Sequence, residues 1–264
     1  MTPTPWQPAP ADLQPSSDVV HVWRANLNLP EQQILQLLPT LSEDEQQRAA
    51  RFYFQRDRLH FIAARGILRN ILGNYLSIAA SQVKFSYSPS GKPALDEANS
   101  DTSFPRLCLG TCKLEFNLSH SHGLALYAIA LDREIGIDLE YIRDLEAEQL
   151  AKRFFSHREY TAISSVAPQE QPRVFFHYWT CKEAYLKATG DGLVGLENID
   201  VFLTTKEPHR VPTAQPGNAR TDKQQPDPGW SLKQINPGSG YIAAVVVAGG
   251  GWHLQTWDFA QTPA

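Results

Sequence analysis

The sequence predicts an α+β fold in two halves. Hydrophobic periodicity runs from helix to strand and then repeats that order once, with the change of half near Leu131 to Ile135. At 264 residues and 42% hydrophobic content, the chain is long enough to bury one large core or two smaller ones. No direct sequence repeat links the halves.

In chain order, residues 1–16 hold five prolines and little that can pack, so they read as a loose arm. Residues 17–131 then form an N-terminal lobe and residues 132–264 a C-terminal one. Residues 31–50 and 51–73 carry helical periodicity ending near Gly73. VKFSY (83–87), LEFNL (114–118), LALYAIAL (124–131) and EIGIDLE (134–140) read as strands. Helices return at 144–153, 156–165 and 171–189. Strands follow at IDVFL (199–203), WSLKQI (230–235), YIAAVVVA (241–248) and WHLQTW (252–257). Lys206 to Gly229 is rich in Pro, Gln, Asp and Gly and reads as a long surface loop.

Composition excludes several classes of function. A net charge of -4 and a pI near 6.1 argue against a chain that coats nucleic acid, since phosphate backbones are held by an excess of Lys and Arg. Cys108, Cys112 and Cys181 form no Cys-x-x-Cys pair and read as buried thiols. No apolar run reaches the length of a membrane span, and the start MTPTPWQPAP lacks a signal peptide's basic and apolar regions, so a cytoplasmic protein is expected.

Chemistry concentrates between residues 134 and 193, where carboxylates sit among core-forming residues. Burying an ionised carboxylate is costly unless it is paired or holds a metal. In EIGIDLE as a strand, Ile135, Ile137 and Leu139 face one side, while Gly136, Asp138 and Glu140 face the other. The two carboxylates then stand roughly 7 Å apart, a separation a hard divalent cation would bridge. Taken alone, the strand reads first as an edge with an acidic solvated face.

The helix over 171–189 alters that balance. At 100° per residue Glu183 falls within about 40° of Trp179, on the apolar stripe. Lys187, one turn on, offers an ordinary i,i+4 partner worth about 0.3–0.5 kcal/mol. A phosphate site also accounts for Lys182: Glu183 would hold a metal while Lys182 and Lys187 bracket the phosphate charge. Glu159 in FFSHREY reads equally as a first-turn carboxylate behind a Ser156 N-cap.

G-I-D-L-E at 136–140, F-F-S-x-x-E at 154–159 and W-x-x-K-E-A-x-x-K at 179–187 together resemble the signature of the 4'-phosphopantetheinyl transferases, in the two-lobed class typified by surfactin-synthetase activators. S-G-K-P at 90–93 and F-N-L-S-H-S at 116–121 extend the resemblance, which runs from about Arg48 to Gly192. It implies pseudo-symmetric α+β lobes with coenzyme A and Mg²⁺ in the cleft between them. It also implies transfer of the phosphopantetheine arm to a serine of an apo carrier protein (acyl, polyketide or peptidyl), with 3',5'-ADP leaving. By that pattern Asp138, Glu140 and Glu183 are the metal ligands. Glu183 takes the serine proton, with Glu159 as the alternative base, and Lys187 completes the catalytic set.

For coenzyme A the resemblance implies Arg48 and Arg51 at the 3'-phosphate, Lys92 and Pro93 near the adenine and phosphates, and Asn117, Ser119 and His120 at phosphate, with Lys182 and Lys187 adding charge. If 48–72 forms one helix, Arg51, Arg58, Arg65 and Arg69 share about 40° of arc. Arg58 and Arg69 then read as a solvated face, and Arg65 stays open. The interval 95–110 reads as an insertion that shapes partner access. The resemblance also implies a basic or apolar docking patch for the carrier, which the sequence does not place. A monomer is expected, with no nucleic-acid or membrane partner.

Two rivals belong to other classes. One is a non-catalytic coenzyme A or carrier-binding module, against which the complete Asp138, Glu140, Glu183 and Lys187 set argues. The other is a carboxylate-metal phosphodiesterase, which would want a denser acidic cluster.

Overall fold

A computed structural model describes residues 5–10, 13–96, 112–191, 196, 199, 201, 209–210 and 229–260. They fall into two compact units. One holds residues 5–132 and the chain from Trp252 onward, the other residues 133–251. Apart from Ile199 and Val201, the strand expected at 199–203 lies outside the described residues, as do most of the long loop and the insertion beyond residue 96.

The first unit is built on a five-stranded sheet. Its strands are β1 (Gln7–Pro8), β2 (Val19–Asn26), β5 (Leu114–Ser121), β6 (Leu124–Leu131) and β11 (His253–Asp258), in the order β1-β11-β2-β6-β5. β6 runs antiparallel to β2 and β5, while β11 lies parallel to β2 and β1 parallel to β11. The last strand therefore returns to the sheet that the chain began, whereas the sequence reading had put all of 132–264 in one lobe. The reason is register: Leu254 to Asp258 lie opposite Val20 to Arg24, and Arg24 makes a two-pronged ion pair with Asp258. Residues 5–10, read as part of a loose arm, are held on the same edge by the β1 pairing, a Thr256 hydroxyl donating to the Pro5 carbonyl, and Trp6 beneath the Arg24 guanidinium.

Three helices accompany this sheet: α1 (Glu31–Leu37), α2 (Glu43–Ala50) and α3 (Gln55–Leu76). α3 sends Ile62, Ile67, Leu68, Ile71 and Leu72 into one core with Trp23, Phe116, Tyr127 and Ile129 of the sheet. The Tyr127 hydroxyl donates to the Ala64 carbonyl and fixes the helix over the strands. Gly73 does not end α3. A Cβ there would stand 2.8 Å from the Ile78 carbonyl oxygen, so glycine serves a close approach, and the left-handed turn comes at Ser77.

The helical breaks differ from expectation at residues 51–54, which separate α2 from α3, so Arg48 and Arg51 do not share a helix with Arg58. Arg69 is not on a solvated face. It is 2% exposed, and its guanidinium donates to Glu45 at 2.7 Å and to the Ala80 and Val83 carbonyls. Glu45, Arg65 and Arg69 form a buried cluster because Glu45 also closes the capping box of α2 with Ser42. A short hairpin, β3 (Phe85–Tyr87) and β4 (Pro93–Leu95), completes the unit.

The second unit is a four-stranded sheet in the order β7-β10-β9-β8, from β7 (Ile135–Tyr141), β8 (His209–Arg210), β9 (Trp230–Ile235) and β10 (Tyr241–Ala248). Its helices are α4 (Ala147–Phe154), α5 (His157–Ser164) and α6 (Gln171–Thr189). Phe175 and Trp179 stack at 5.8 Å and Phe155 stacks on Phe175 at 5.0 Å, joining the end of α4 to α6. Gly190, in left-handed conformation, caps α6. Cys181 is the expected buried free thiol, its pKa pushed up to about 12 by burial, but Cys112 is disulfide-bonded. Among the described residues no helix is long and apolar enough to cross a membrane.

Candidate active site

The strand face bearing Gly136, Asp138 and Glu140 packs against α6, and glycine is the reason it can. A Cβ at Gly136 would sit 2.0 Å from the Ala184 carbonyl oxygen and 2.4 Å from the Ala188 amide nitrogen, so any side chain would force strand and helix apart. Two residues further along the same face, Asp138 is 4% exposed and accepts a 2.6 Å hydrogen bond from the Lys187 ammonium. The acidic solvated edge is thereby excluded for Asp138. The charge is buried, and it is compensated from the helix.

Glu183 stands one turn before Lys187. Its Oε1 is buried and makes no hydrogen bond in the structure. Desolvation is the largest influence on this carboxyl and the Asp138 charge the next. The Lys187 ammonium opposes them and Glu140 adds to them, leaving the pKa raised to about 7. Glu140 is only half-buried and pairs at 3.3 Å with Arg143, whose guanidinium lies 5.1 Å over the Phe176 ring of α6. Three carboxylates thus share one electrostatic neighbourhood with one ammonium and one guanidinium. Sequence reasoning missed Arg143, although its place three residues after Glu140 was a usable signal.

Glu159 and Lys182 lie elsewhere in the same unit. Both side chains are 0% exposed and they pair at 2.7 Å. Glu159 also accepts the Ser156 amide in the capping box of α5 and the Val201 amide at 3.0 Å. Lys182 donates to the Leu196 and Ile199 carbonyls, with its ammonium 5.0 Å over the Phe155 ring. This cluster ties the chain beyond α6 to α5 and α6. Neither group faces solvent.

Apart from Lys182 and Lys187 on α6, the residues expected at coenzyme A sit on three separate elements of the first unit. Arg48 and Arg51 are exposed at the end of α2, with Arg48 stacked 5.4 Å over Phe61. Lys92 closes the hairpin turn, its amide donating to the Ser88 hydroxyl and its carbonyl accepting from the Ser88 amide, and Pro93 opens β4 opposite Tyr87. Asn117 and Ser119 are buried on one face of β5, while His120 is exposed on the other.

Both units match known families. Residues 134–246, which carry the whole carboxylate and lysine set, match the 4'-phosphopantetheinyl transferase superfamily. Residues 26–131 match the 4'-phosphopantetheinyl transferase N-terminal family. The chain is 47% identical to 4'-phosphopantetheinyl transferase HetI of Nostoc sp., across 96% of this chain and 98% of that protein. It belongs to the 4'-phosphopantetheinyl transferase family. More distant relatives are 4'-phosphopantetheinyl transferase psf-1 of Bacillus pumilus, 32% identical over 65% of this chain and 68% of that one, and Sfp of Bacillus subtilis, 28% identical over 62% and 66%.

For a phosphopantetheinyl transferase the donor set invites a test against a metal. Among the described residues no group of three or more His, Cys, Asp or Glu closes into a ready cage. The chemistry of the set nevertheless fits a hard cation. It is all oxygen, burial first and the neighbouring Asp138 charge second raise the Glu183 pKa, and one buried Glu183 oxygen has no hydrogen bond. Mg²⁺ is commonly held by one or two carboxylates with substrate phosphates and water completing the shell, so a preformed protein cage is not required.

Proposed function

We propose that this chain transfers the 4'-phosphopantetheine arm of coenzyme A to a serine of an apo carrier protein, with release of 3',5'-ADP, and that it does so with Mg²⁺. The observation that carries the reading is Glu183: a carboxyl with a pKa near 7, a buried oxygen without a hydrogen bond, and Asp138, Glu140 and Lys187 as electrostatic neighbours. The serine oxygen bonds to the β-phosphorus as the bond from that phosphorus to the oxygen of 3',5'-ADP breaks. Glu183 accepts the serine proton, directly or through water.

Asp138, Glu140 and Glu183 would hold the cation, which when bound supplies Lewis-acid neutralisation of charge developing on the pyrophosphate. Asp138 holds the Lys187 ammonium at 2.6 Å, and that ammonium is positioned to offset phosphate charge. Arg48, Arg51, Lys92, Pro93, Asn117, Ser119 and His120 are assigned to coenzyme A. Glu159 and Lys182 we move to the structural set, because their burial and mutual pairing support that role. We read the chain as a cytoplasmic monomer.

The test is the intact mass of purified apo acyl, polyketide and peptidyl carriers after incubation with the chain, coenzyme A and Mg²⁺, alongside an EDTA control. A gain of one phosphopantetheine arm, lost with EDTA, is expected. No gain on any carrier would return the chain to the class of binding modules.

A further inference from the structure

Three consecutive aromatic side chains in the first unit are left in water. Between α2 and α3, Phe52, Tyr53 and Phe54 are 37%, 92% and 63% exposed. Burying such a side chain is worth about 1.5–3 kcal/mol, and isolated exposed apolar residues are ordinary, but three in succession form a patch. The patch is ordered. Phe52 packs on Phe61 at 5.4 Å, and Tyr53 meets Phe54 edge to face at 4.9 Å.

Local stability does not explain these residues. Phe54 occupies the N-cap of α3 and makes no side-chain cap bond, at a position where Ser, Thr, Asp or Asn would contribute about 1 kcal/mol. The sequence therefore carries an exposed phenyl ring where a polar cap would make a more stable helix. Aromatic residues and arginine are the types enriched at the energetic centres of protein interfaces.

Charge selects the partner. Residues 52–58 contain two arginines and one aspartate, a local net of +1 in a chain of net -4. Arg56 and Arg58 are exposed, with Arg56 bound at 3.2 Å to Asp57, a surface pair worth little. Rings flanked by exposed guanidinium groups suit a folded partner with an acidic, partly apolar face. They suit a small substrate poorly, because Tyr53 at 92% exposure lies in no pocket.

We propose that Phe52, Tyr53 and Phe54, with Arg56 and Arg58, form a docking surface for an acidic face of the carrier protein. The proposal rests on the transferase reading, and leaves Arg48 and Arg51 to coenzyme A. Rings in this patch would supply desolvated contact area, and the arginines orientation and association rate.

The test uses the full chain in two double variants, Tyr53→Ser with Phe54→Ser, and Arg56→Glu with Arg58→Glu. Their exposure predicts melting temperatures close to the parent's, which calorimetry verifies. In the transfer assay the KM for apo carrier should rise about tenfold or more in each, a loss of about 1.4 kcal/mol, while the KM for coenzyme A stays within about twofold. Anisotropy of a fluorescent apo acyl carrier protein should show binding to the parent chain and its loss in both variants, with the parent's binding weakening as salt rises. An unchanged KM for carrier, or a rise confined to coenzyme A, overturns the proposal. If the parent chain modifies no carrier, the function fails separately, and anisotropy alone then decides: equal binding by parent and variants, or no binding by either, defeats the docking surface.

Discussion

Helix α6 carries two lysines five residues apart, and each meets a carboxylate. Lys182 and Glu159 are fully enclosed, and the ammonium and both carboxylate oxygens are met by a carbonyl, an amide or the partner charge. Lys187 and Asp138 are more open, at 30% and 6% side-chain exposure, and beside them stands a Glu183 oxygen with no hydrogen bond. The first pair is finished by the fold. The second is surrounded by surplus negative charge, the incompleteness that the proposed cation and phosphate site needs. The same ion-pair chemistry thus serves two ends, and satisfaction of the neighbouring atoms separates them better than burial does.

Substitutions that treat the two pairs alike should expose this difference. The largest effect is expected from Asp138→Ala, which should lower phosphopantetheine transfer about 10²- to 10³-fold, the cost typical of deleting an electrostatic contact to a transition state. Its circular dichroism should match the parent's, and full activity would remove Asp138 from the site. Next is Lys182→Met, which leaves Glu159 charged in the core and should cost about 3–5 kcal/mol in denaturant unfolding. Combining it with Glu159→Leu should restore much of that loss, since a buried pair replaced by apolar side chains is often neutral. A melting temperature unmoved by Lys182→Met would undo the structural assignment.

Gly136→Ala probes what brings the open pair together. The added methyl group meets backbone atoms of α6, so strand and helix must separate, at a cost of about 1–3 kcal/mol. Transfer should fall further than stability alone explains, because Asp138 moves with β7. A variant with parental activity would show that this approach is not needed for the site.

The smallest effect carries a definite sign. Glu183 has a folded pKa near 7, above its ordinary value of 4.5, so between those values the native state holds more protons than the unfolded one. Stability therefore falls as pH rises from about 4.5 to about 7, and the penalty is complete above the folded pKa. Glu183→Gln should melt higher than the parent at pH 8 yet transfer poorly. Added Mg²⁺ should raise the parent's melting temperature at pH 8 and leave the variant's nearly unchanged. A parent that melts no lower at pH 8 than the variant would contradict the cost of burying a charged Glu183 beside Asp138.

Most elements were legible in the sequence because periodicity reports burial directly. β6, β10 and α6 coincide with the runs that announced them. Legibility failed where a partner distant in sequence decides the outcome. Arg69 looked solvated because nothing near it in sequence reveals Glu45, and helix continuity from 48 to 72 looked plausible because residues 51–54 contain neither Gly nor Pro. The arm at 5–10 looked loose because its proline content argues against a core strand, yet an edge strand tolerates proline, and β11 provides the edge. WHLQTW was recognised as a strand, but its sheet was not, since a strand's pattern says nothing about which neighbour it will pair with.

By itself, the sequence determined the α+β class, the strand that places Asp138 and Glu140 on one face, and the helix that spaces Glu183 one turn from Lys187. Only the tertiary structure decided which lysine serves which carboxylate. Five residues at 100° each turn Lys182 and Lys187 about 140° apart around α6. One points into the returning chain at Leu196 and Ile199, and the other onto β7, where Gly136 lets the strand come close enough for Asp138 to reach it.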